Sequence, residues 1–227
     1  MGASTTRATR PGTRYGAARA HLRRIDPVLA RLIDARPEFD PRAWLSELPP
    51  LDCFGALIFQ VIGQQLSVAA TRGILQRLQD SFGDRLPTPD QLLAAGPGLL
   101  RSSGLSRRKV ATLRAVAEAF TDGTLDDDRW SQATDQDIQS LLTTIPGVGP
   151  WTVHGFLIVA LDRPDVVLPG DLALRKVIQH EYHLDHLPSP DEVLHIAAPW
   201  RPYRSLATAY LFQSAFDRQP RRGTPAR

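Results

Sequence analysis

The sequence predicts an all-α fold, and three observations carry that expectation. Apolar residues recur at spacings of three and four, as in Ile138, Leu141, Leu142 and Ile145, rather than at spacings of two. Residues that favour helix N-caps stand just before such segments, notably Ser67, Ser106 and Thr134. Convincing β alternation is absent, and only residues 165–168 read as a short extended piece. Roughly ten helices are expected, with no internal repeat.

Taken in order, residues 1–16 are rich in Ser, Thr, Gly, Pro and Arg and read as a disordered basic tail. Residues 21–35 read as one helix with Ile25, Val28, Leu29 and Leu32 inward. Residues 52–62 form a strongly apolar helix that Gly63-Gln64-Gln65-Leu66 interrupts, and Ser67 caps the next, running to about Phe82. Pro87-Thr88-Pro89 is a turn before short helices at 90–95 and 98–103. Ser106 caps 107–119, and 122–130 is an acidic loop. Thr134, with Asp137 three residues on, opens a helix that Pro146-Gly147-Val148-Gly149-Pro150 must break. Pro150 suits the first turn of the following helix, 151–161. Pro169-Gly170 then presents Asp171 at the start of 172–182, and helices at 190–197 and 202–216 follow. The folded domain is read as 17–217, and 218–227 as a second basic tail.

Bulk properties bound the function. A chain of 227 residues, 42% hydrophobic, can bury a real core. Its longest apolar run, 156–161, falls far short of the ~18 residues of a membrane helix. No secretory apolar segment opens the chain. The single cysteine, Cys53, excludes an intrachain disulfide framework and any four-cysteine iron–sulfur or zinc site, and a reducing, cytoplasmic setting is expected. Residues 1–25 carry six Arg and no acid, and 218–227 carry four Arg and no acid. Between them stand 17 basic and 24 acidic residues, a net of −7. The folded part therefore cannot hold nucleic acid by a broad positive field; it needs backbone dipoles and a few placed side chains.

A Pro-Gly-Val-Gly break between two helices can supply such a grip. The second helix begins with unpaired N–H groups at its positive end, and glycines let a phosphate approach them. Carbonyls of the preceding turn can face a monovalent cation. The competing reading is an ordinary αα-hairpin with Gly and Pro as stop and start signals. Asp171 is open in the same way: Asp is a favoured N-cap, and a carboxylate beside a cleft can also stabilise a cationic sugar carbon and orient water.

Ile145-Pro146-Gly147-Val148-Gly149 with Trp151, then Leu168-Pro169-Gly170-Asp171, resembles the helix-hairpin-helix base-excision DNA glycosylases, and within them the 3-methyladenine DNA glycosylase II branch. Residues 61–69 resemble that branch's minor-groove wedge loop, 104–109 its mid-chain helix start, and 200–205 the start of its last helix. The resemblance covers about residues 51–216. It implies a two-lobed helical fold lacking the additional N-terminal β-containing domain of larger members, with a flipped base in the cleft between lobes. It implies that Asp171 is catalytic and that Trp151 replaces the lysine of bifunctional members, so that water is the nucleophile and no strand is cut. It implies that the carbonyls of Thr143, Ile145 and Val148 hold Na⁺ or K⁺ and that no other cofactor is required. Gly147 and Gly149 then face phosphate, and Gln65 or Leu66 plugs the duplex.

The expected substrate is double-stranded DNA with alkylated bases, acted on by a monomer. Trp151 and Trp200 can offer electron-rich faces to a cationic base, a contact worth about 0.5–2 kcal/mol. Gly155, Leu172 and Ala173 are smaller than the aromatic residues of the branch, which predicts a wider, less selective pocket. Arg175, Lys176 and Arg204 are candidate phosphate contacts. Two other readings stay open: a non-catalytic hairpin protein that only binds DNA, and a glycosylase for another lesion class. His180, His183 and His186 form an H-x-x-H-x-x-H run, but helical spacing brings only the first two together, which argues against a metal site. The Asp126–Asp128 run lacks calcium-loop spacing and reads as solvated loop.

Overall fold

Nine consecutive residues of one helix, Phe54 to Ile62, are buried, and the elements of one half of the chain pack around them. The computed structural model describes residues 14–218. In order the α-helices are α1 (Gly16–Ile25), α2 (Pro27–Ala35), α3 (Cys53–Gly63), α4 (Val68–Asp80), α5 (Pro89–Ala94), α6 (Pro97–Ser102) and α7 (Arg107–Thr121). They continue with α8 (Asp127–Trp130), α9 (Asp135–Leu142), α10 (Pro150–Val159), α11 (Leu172–Glu181), α12 (Pro190–Ala197) and α13 (Arg204–Arg218). Two 3₁₀ turns, Ala43–Glu47 and Ala198–Trp200, complete the set, and no strand occurs among the described residues. The described residues form two compact units, one from residues 44–163 and one that joins those before 44 to those after 163.

In the unit of residues 44–163, α3 packs against α4, α7 and α10. Leu57, Ile58, Val61 and Ile62 of α3, Leu113 and Val116 of α7, and Val153, Phe156 and Leu157 of α10 form its core. A helix as apolar all round as α10 is stable only when enclosed. Edge-on ring contacts, Phe54–Phe120 at 5.3 Å and Trp130–Phe156 at 5.3 Å, fill the margins. Cys53 opens α3; burial first, then Asp127 and Asp52, push its thiol up to about 12, so it is a protonated packing group.

The other unit is organised on a buried carboxylate. Asp26 accepts the Val28 and Leu29 N–H groups at 2.9 and 3.1 Å through Oδ1. Its Oδ2 accepts the Tyr182 hydroxyl at 2.6 Å and the Trp200 indole N–H at 2.9 Å. Four donors compensate a carboxylate that would otherwise be costly to bury. Burial first, then the bond to Asp26, raise the Tyr182 phenol well above its ordinary value. Asp26 also corrects the expectation of one helix over 21–35. The residue before a proline avoids helical angles, Asp26 is extended (φ −142°, ψ 112°), and Pro27 starts α2. Glu181, also buried, pairs with Arg31 at 2.7 Å and with Arg218.

Other differences are local. The acidic loop at 122–130 contains the one-turn α8, closed by the Trp130 indole donating to Asp127 at 3.1 Å. Residues 165–168 form no strand; Val166 donates to Ser205 Oγ at 3.0 Å, and Val166, Val167 and Leu168 are buried. The tails expected at 1–16 and 218–227 lie largely outside the described residues; Gly16 already opens α1 and Arg218 closes α13.

Candidate active site and nucleic-acid interface

The hairpin is built as its residues dictate. Thr134 and Asp137 form a reciprocal capping box at the start of α9, with bonds of 3.1 and 3.2 Å. After Leu142 the chain tightens: Ile145 N–H donates to the Leu142 carbonyl at 3.2 Å and Val148 N–H to the Ile145 carbonyl at 3.0 Å. Ile145 and Val148 bury their side chains and so anchor the turn. Gly147 sits at φ +89°, and a Cβ there would lie 2.0 Å from Thr112 Oγ1 on α7. Gly149 is the N-cap of α10 and brings no capping side chain, while Pro150 at the first helical position has no N–H. A Cβ at Gly149 would meet nothing within 4 Å, so the space before the positive end of α10 is open.

The loop expected to act as the wedge is held by two side chains that sequence reasoning missed, Gln64 to the hairpin and Lys109 to α7. Gln64 Nε2 donates to the Gly147 carbonyl at 3.0 Å and to Thr152 Oγ1 at 2.9 Å. Lys109 Nζ donates to the carbonyls of Ile62 and Gln64 at 2.7 and 2.9 Å, satisfying the end of α3. Burial lowers the Lys109 ammonium below its ordinary value. Held at both sides, the chain turns through Gln65 at φ +58° and presents Gln65, Leu66 (41% exposed) and Val68 (47% exposed) outward. Ser67 then caps α4 through Ala70 N–H at 3.2 Å. A lysine that is one of only two in the chain was the one available signal for this strut.

The expected base-pocket residues separate. Trp151 is half-exposed at the start of α10, and a Cβ on Gly63 would come within 3.9 Å of its Cη2. Gly155 is buried on the same helix against Gln60 of α3, with a built Cβ 2.1 Å from Gln60 Oε1. Its small size is a packing requirement of the α3–α10 contact, which removes it as grounds for a wider pocket. Trp200 is fully buried (0% exposed), held by Asp26 and tilted over Tyr182 at 6.5 Å. It is a core residue, and the expectation that it offers a face to a base is corrected: an indole with a buried N–H partner gains more from the core than from solvent contact.

Asp171 is the N-cap of α11, its Oδ1 accepting Leu174 N–H at 2.8 Å. The side chain is half-buried, so the cap reaches solvent. Leu172 beside it is 51% exposed, and Ala173 and Lys176 are exposed as well. Arg175 is half-buried and donates through Nε to the Pro188 carbonyl at 2.6 Å, which ties α11 to the segment before α12. Arg204 grips Asp165 with two bonds, at 2.7 and 3.0 Å, and so is a structural pair rather than a loose phosphate contact.

The histidine run does not converge. His183 lies past the helix at φ +54°, and His186 sits between Asp185 at 2.7 Å and Glu192 at 2.8 Å, which raise its pKa. Among the described residues no group of three or more His, Cys, Asp or Glu side chains gathers to hold a metal ion.

Several known proteins are similar to this chain. The sequence profile of the HhH-GPD superfamily of base excision DNA repair proteins matches residues 58–202. DNA-3-methyladenine glycosylase 1 of Schizosaccharomyces pombe is 28% identical over 200 residues, covering 87% of this chain and 86% of that protein. DNA-3-methyladenine glycosylase 2 of Escherichia coli is 27% identical over 198 residues, covering 83% of this chain and 64% of that protein. The solved structure of the S. pombe 3-methyladenine glycosylase in complex with abasic DNA matches with a TM-score of 0.77 at 26% identity, covering 88% of this chain and 97% of that one.

Proposed function

The chain belongs to the HhH-GPD superfamily of base excision DNA repair proteins, in its 3-methyladenine glycosylase branch, and on that premise we propose that it is a monofunctional DNA glycosylase. It hydrolyses the N-glycosidic bond of alkylated bases in double-stranded DNA and leaves an abasic site. The observation that carries the reading is the half-exposed Asp171 carboxylate at the start of α11, in a chain whose glycine-open hairpin can hold a DNA phosphate. An N-alkylated purine already carries positive charge, so it leaves without a strong general acid. What remains is to support the cationic C1′ of the sugar and to orient water for attack on it, and a fixed carboxylate does both.

The wedge loop acts on the duplex. Gln65 or Leu66 enters the stack and offsets part of the unstacking cost, a few kcal/mol per step. Trp151 takes the face of the extruded base; it is an aromatic where a nucleophilic lysine would be needed to cut the strand. Gly149 and the first amides of α10 hold phosphate without reading sequence. The carbonyls of Thr143, Ile145 and Val148 would hold a monovalent cation, Na⁺ or K⁺, whose charge attracts the same phosphate; the Ile145 carbonyl keeps a second lone pair beyond the one taken by Val148. No helix among the described residues is long and apolar enough to cross a membrane, and the reading implies the compartment that holds the DNA.

Asp171→Asn tests the mechanism. Asparagine still caps α11, so the fold and duplex binding persist within about twofold. Release of methylated bases from DNA, followed chromatographically under single-turnover conditions, falls at least about 100-fold, the loss seen when one electrostatic stabiliser is removed. Release within tenfold of wild type would leave only a DNA-holding role for the site.

A further inference from the structure

The loop after α3 folds as one tight turn, closed by the Leu66 N–H donating to the Gly63 carbonyl at 3.1 Å. Gln64 at φ −52°, ψ 122° and Gln65 at φ +58° follow the type II pattern, in which the third residue takes positive φ. Glycine or asparagine usually stands there. A glutamine is strained, and such strain persists only where the surroundings hold it. Type II differs from type I in the direction of the central peptide, whose carbonyl here belongs to Gln64. Lys109 Nζ donates to that carbonyl at 2.9 Å and so fixes its direction.

The side chain of the same residue reaches the hairpin. Gln64 Nε2 donates to the Gly147 carbonyl at 3.0 Å and to Thr152 Oγ1 at 2.9 Å. The Gly147 carbonyl shares its peptide with the Val148 N–H, which donates to the Ile145 carbonyl at 3.0 Å. Gly147, at φ +89°, has the freedom of a residue without a Cβ, so this peptide turns easily unless it is held. The Gln64 amide holds it, two residues before α10 and next to the Gly149 N-cap. One residue thus belongs to both structures: its backbone sets the loop turn and its side chain sets the hairpin turn. All of these groups lie within the unit of residues 44–163.

We propose that Gln64 is a positioning residue that couples the two turns, so that the hairpin's grip on a phosphate sets where Gln65 and Leu66 meet the base stack. The proposal rests on the glycosylase reading above. A wedge already placed relative to the bound phosphate enters the duplex without a further loss of freedom. Without the amide, the hairpin still holds its phosphate, but that contact no longer places the wedge. Gln64 touches neither base nor sugar and acts through its two neighbours in the loop.

The test is a double-mutant cycle of Gln64→Met and Gly149→Ala. Methionine keeps the length and volume of the side chain and removes its donor, while Gly149→Ala disturbs the proposed phosphate site. Each protein is measured for affinity to an undamaged duplex, for brightening of a 2-aminopurine beside the lesion, and for single-turnover release of 3-methyladenine at saturating protein. Gln64→Met keeps duplex affinity within about threefold, lowers the brightening and slows release about tenfold or more, as misplacement of a reacting group does. Gly149→Ala slows release several-fold alone but less than about twofold when added to Gln64→Met, because the hairpin has already ceased to place the wedge. Gln64→Asn, a methylene too short to keep both bonds, repeats the selective slowing and serves if the methionine variant does not fold. Unchanged release, affinity lost in step with release, or losses that multiply in the double variant overturn the coupling alone. Failure of the wild type to release the methylated base overturns the glycosylase reading with it.

Discussion

An alanine at Gly147 would force two costs on the hairpin. Its backbone sits at φ +89°, where a side chain is strained by about 1–2 kcal/mol. Its Cβ would also lie 2.0 Å from Thr112 Oγ1 and 3.0 Å from Thr112 Cβ, in a helix that cannot retreat because Thr112 is itself buried. Gly147→Ala should therefore lose about 2–4 kcal/mol in denaturant unfolding, and adding Thr112→Ala should recover part of it. Gly149→Ala should change stability by less than about 0.5 kcal/mol and yet weaken duplex binding, because the open space it fills is the proposed phosphate site. Equal stability losses at the two glycines would remove this division of labour. The Pro-Gly-Val-Gly-Pro motif names both glycines, but only Thr112, far upstream in α7, tells the one required by the fold from the one left for a ligand. Trp200 teaches the same limit in reverse. Its place among motif residues suggested a stacking face, whereas its partners Asp26 and Tyr182, distant in sequence, make it core.

Helices α3, α7 and α10 hold the interface together through backbone acceptors that no sequence pattern displays. The helices themselves were readable, because period, caps and Pro-Gly breaks are local signals: Ser67, Ser106 and Thr134 each cap the helix expected of them. The break at Asp26-Pro27 was equally local, and only the run of apolar residues across it hid the proline's effect. The strut from Lys109 was not readable, since it depends on α7 crossing the end of α3. Lys109→Met keeps the aliphatic stem but orphans the Ile62 and Gln64 carbonyls, at a cost of about 2 kcal/mol. With Gln64 no longer steadied, the wedge loop should sample more conformations. A 2-aminopurine placed beside the lesion should then brighten less on binding than with wild type, and base release should slow several-fold. Lys109→Arg should restore part of both. Wild-type fluorescence and release in Lys109→Met would show that the strut does nothing beyond packing.

The chain is not divided into an N-terminal and a C-terminal half: the unit that carries Asp171 takes residues from both ends, and the hairpin unit is a single internal stretch. Each has its own core, so a change at the Asp26 network and a change at Thr112 should act independently on stability. Charge is distributed on the same plan. Residues 26–217 carry a net of −7, while ten of the 27 basic residues lie in 1–25 and 218–227. Among candidate phosphate contacts on the folded units, Arg204 is paired with Asp165 and Arg175 is tied to the Pro188 carbonyl, while Lys176 stays exposed. On the proposed function, the net negative charge of residues 26–217 leaves long-range attraction to DNA largely to the termini and the short-range grip to the amides of α10. Removing residues 1–13 and 219–227 deletes five Arg and no acid. The slope of log K against log salt for duplex binding should become shallower by about one unit for each Arg that had met a phosphate, up to roughly four or five. Affinity at low salt should fall more than tenfold, while the single-turnover rate of base release at saturating protein stays within about twofold, because Asp171 and the wedge loop are untouched. An unchanged salt slope would mean that the hairpin alone supplies the electrostatic term, and that a unit of net negative charge approaches DNA on backbone dipoles without help.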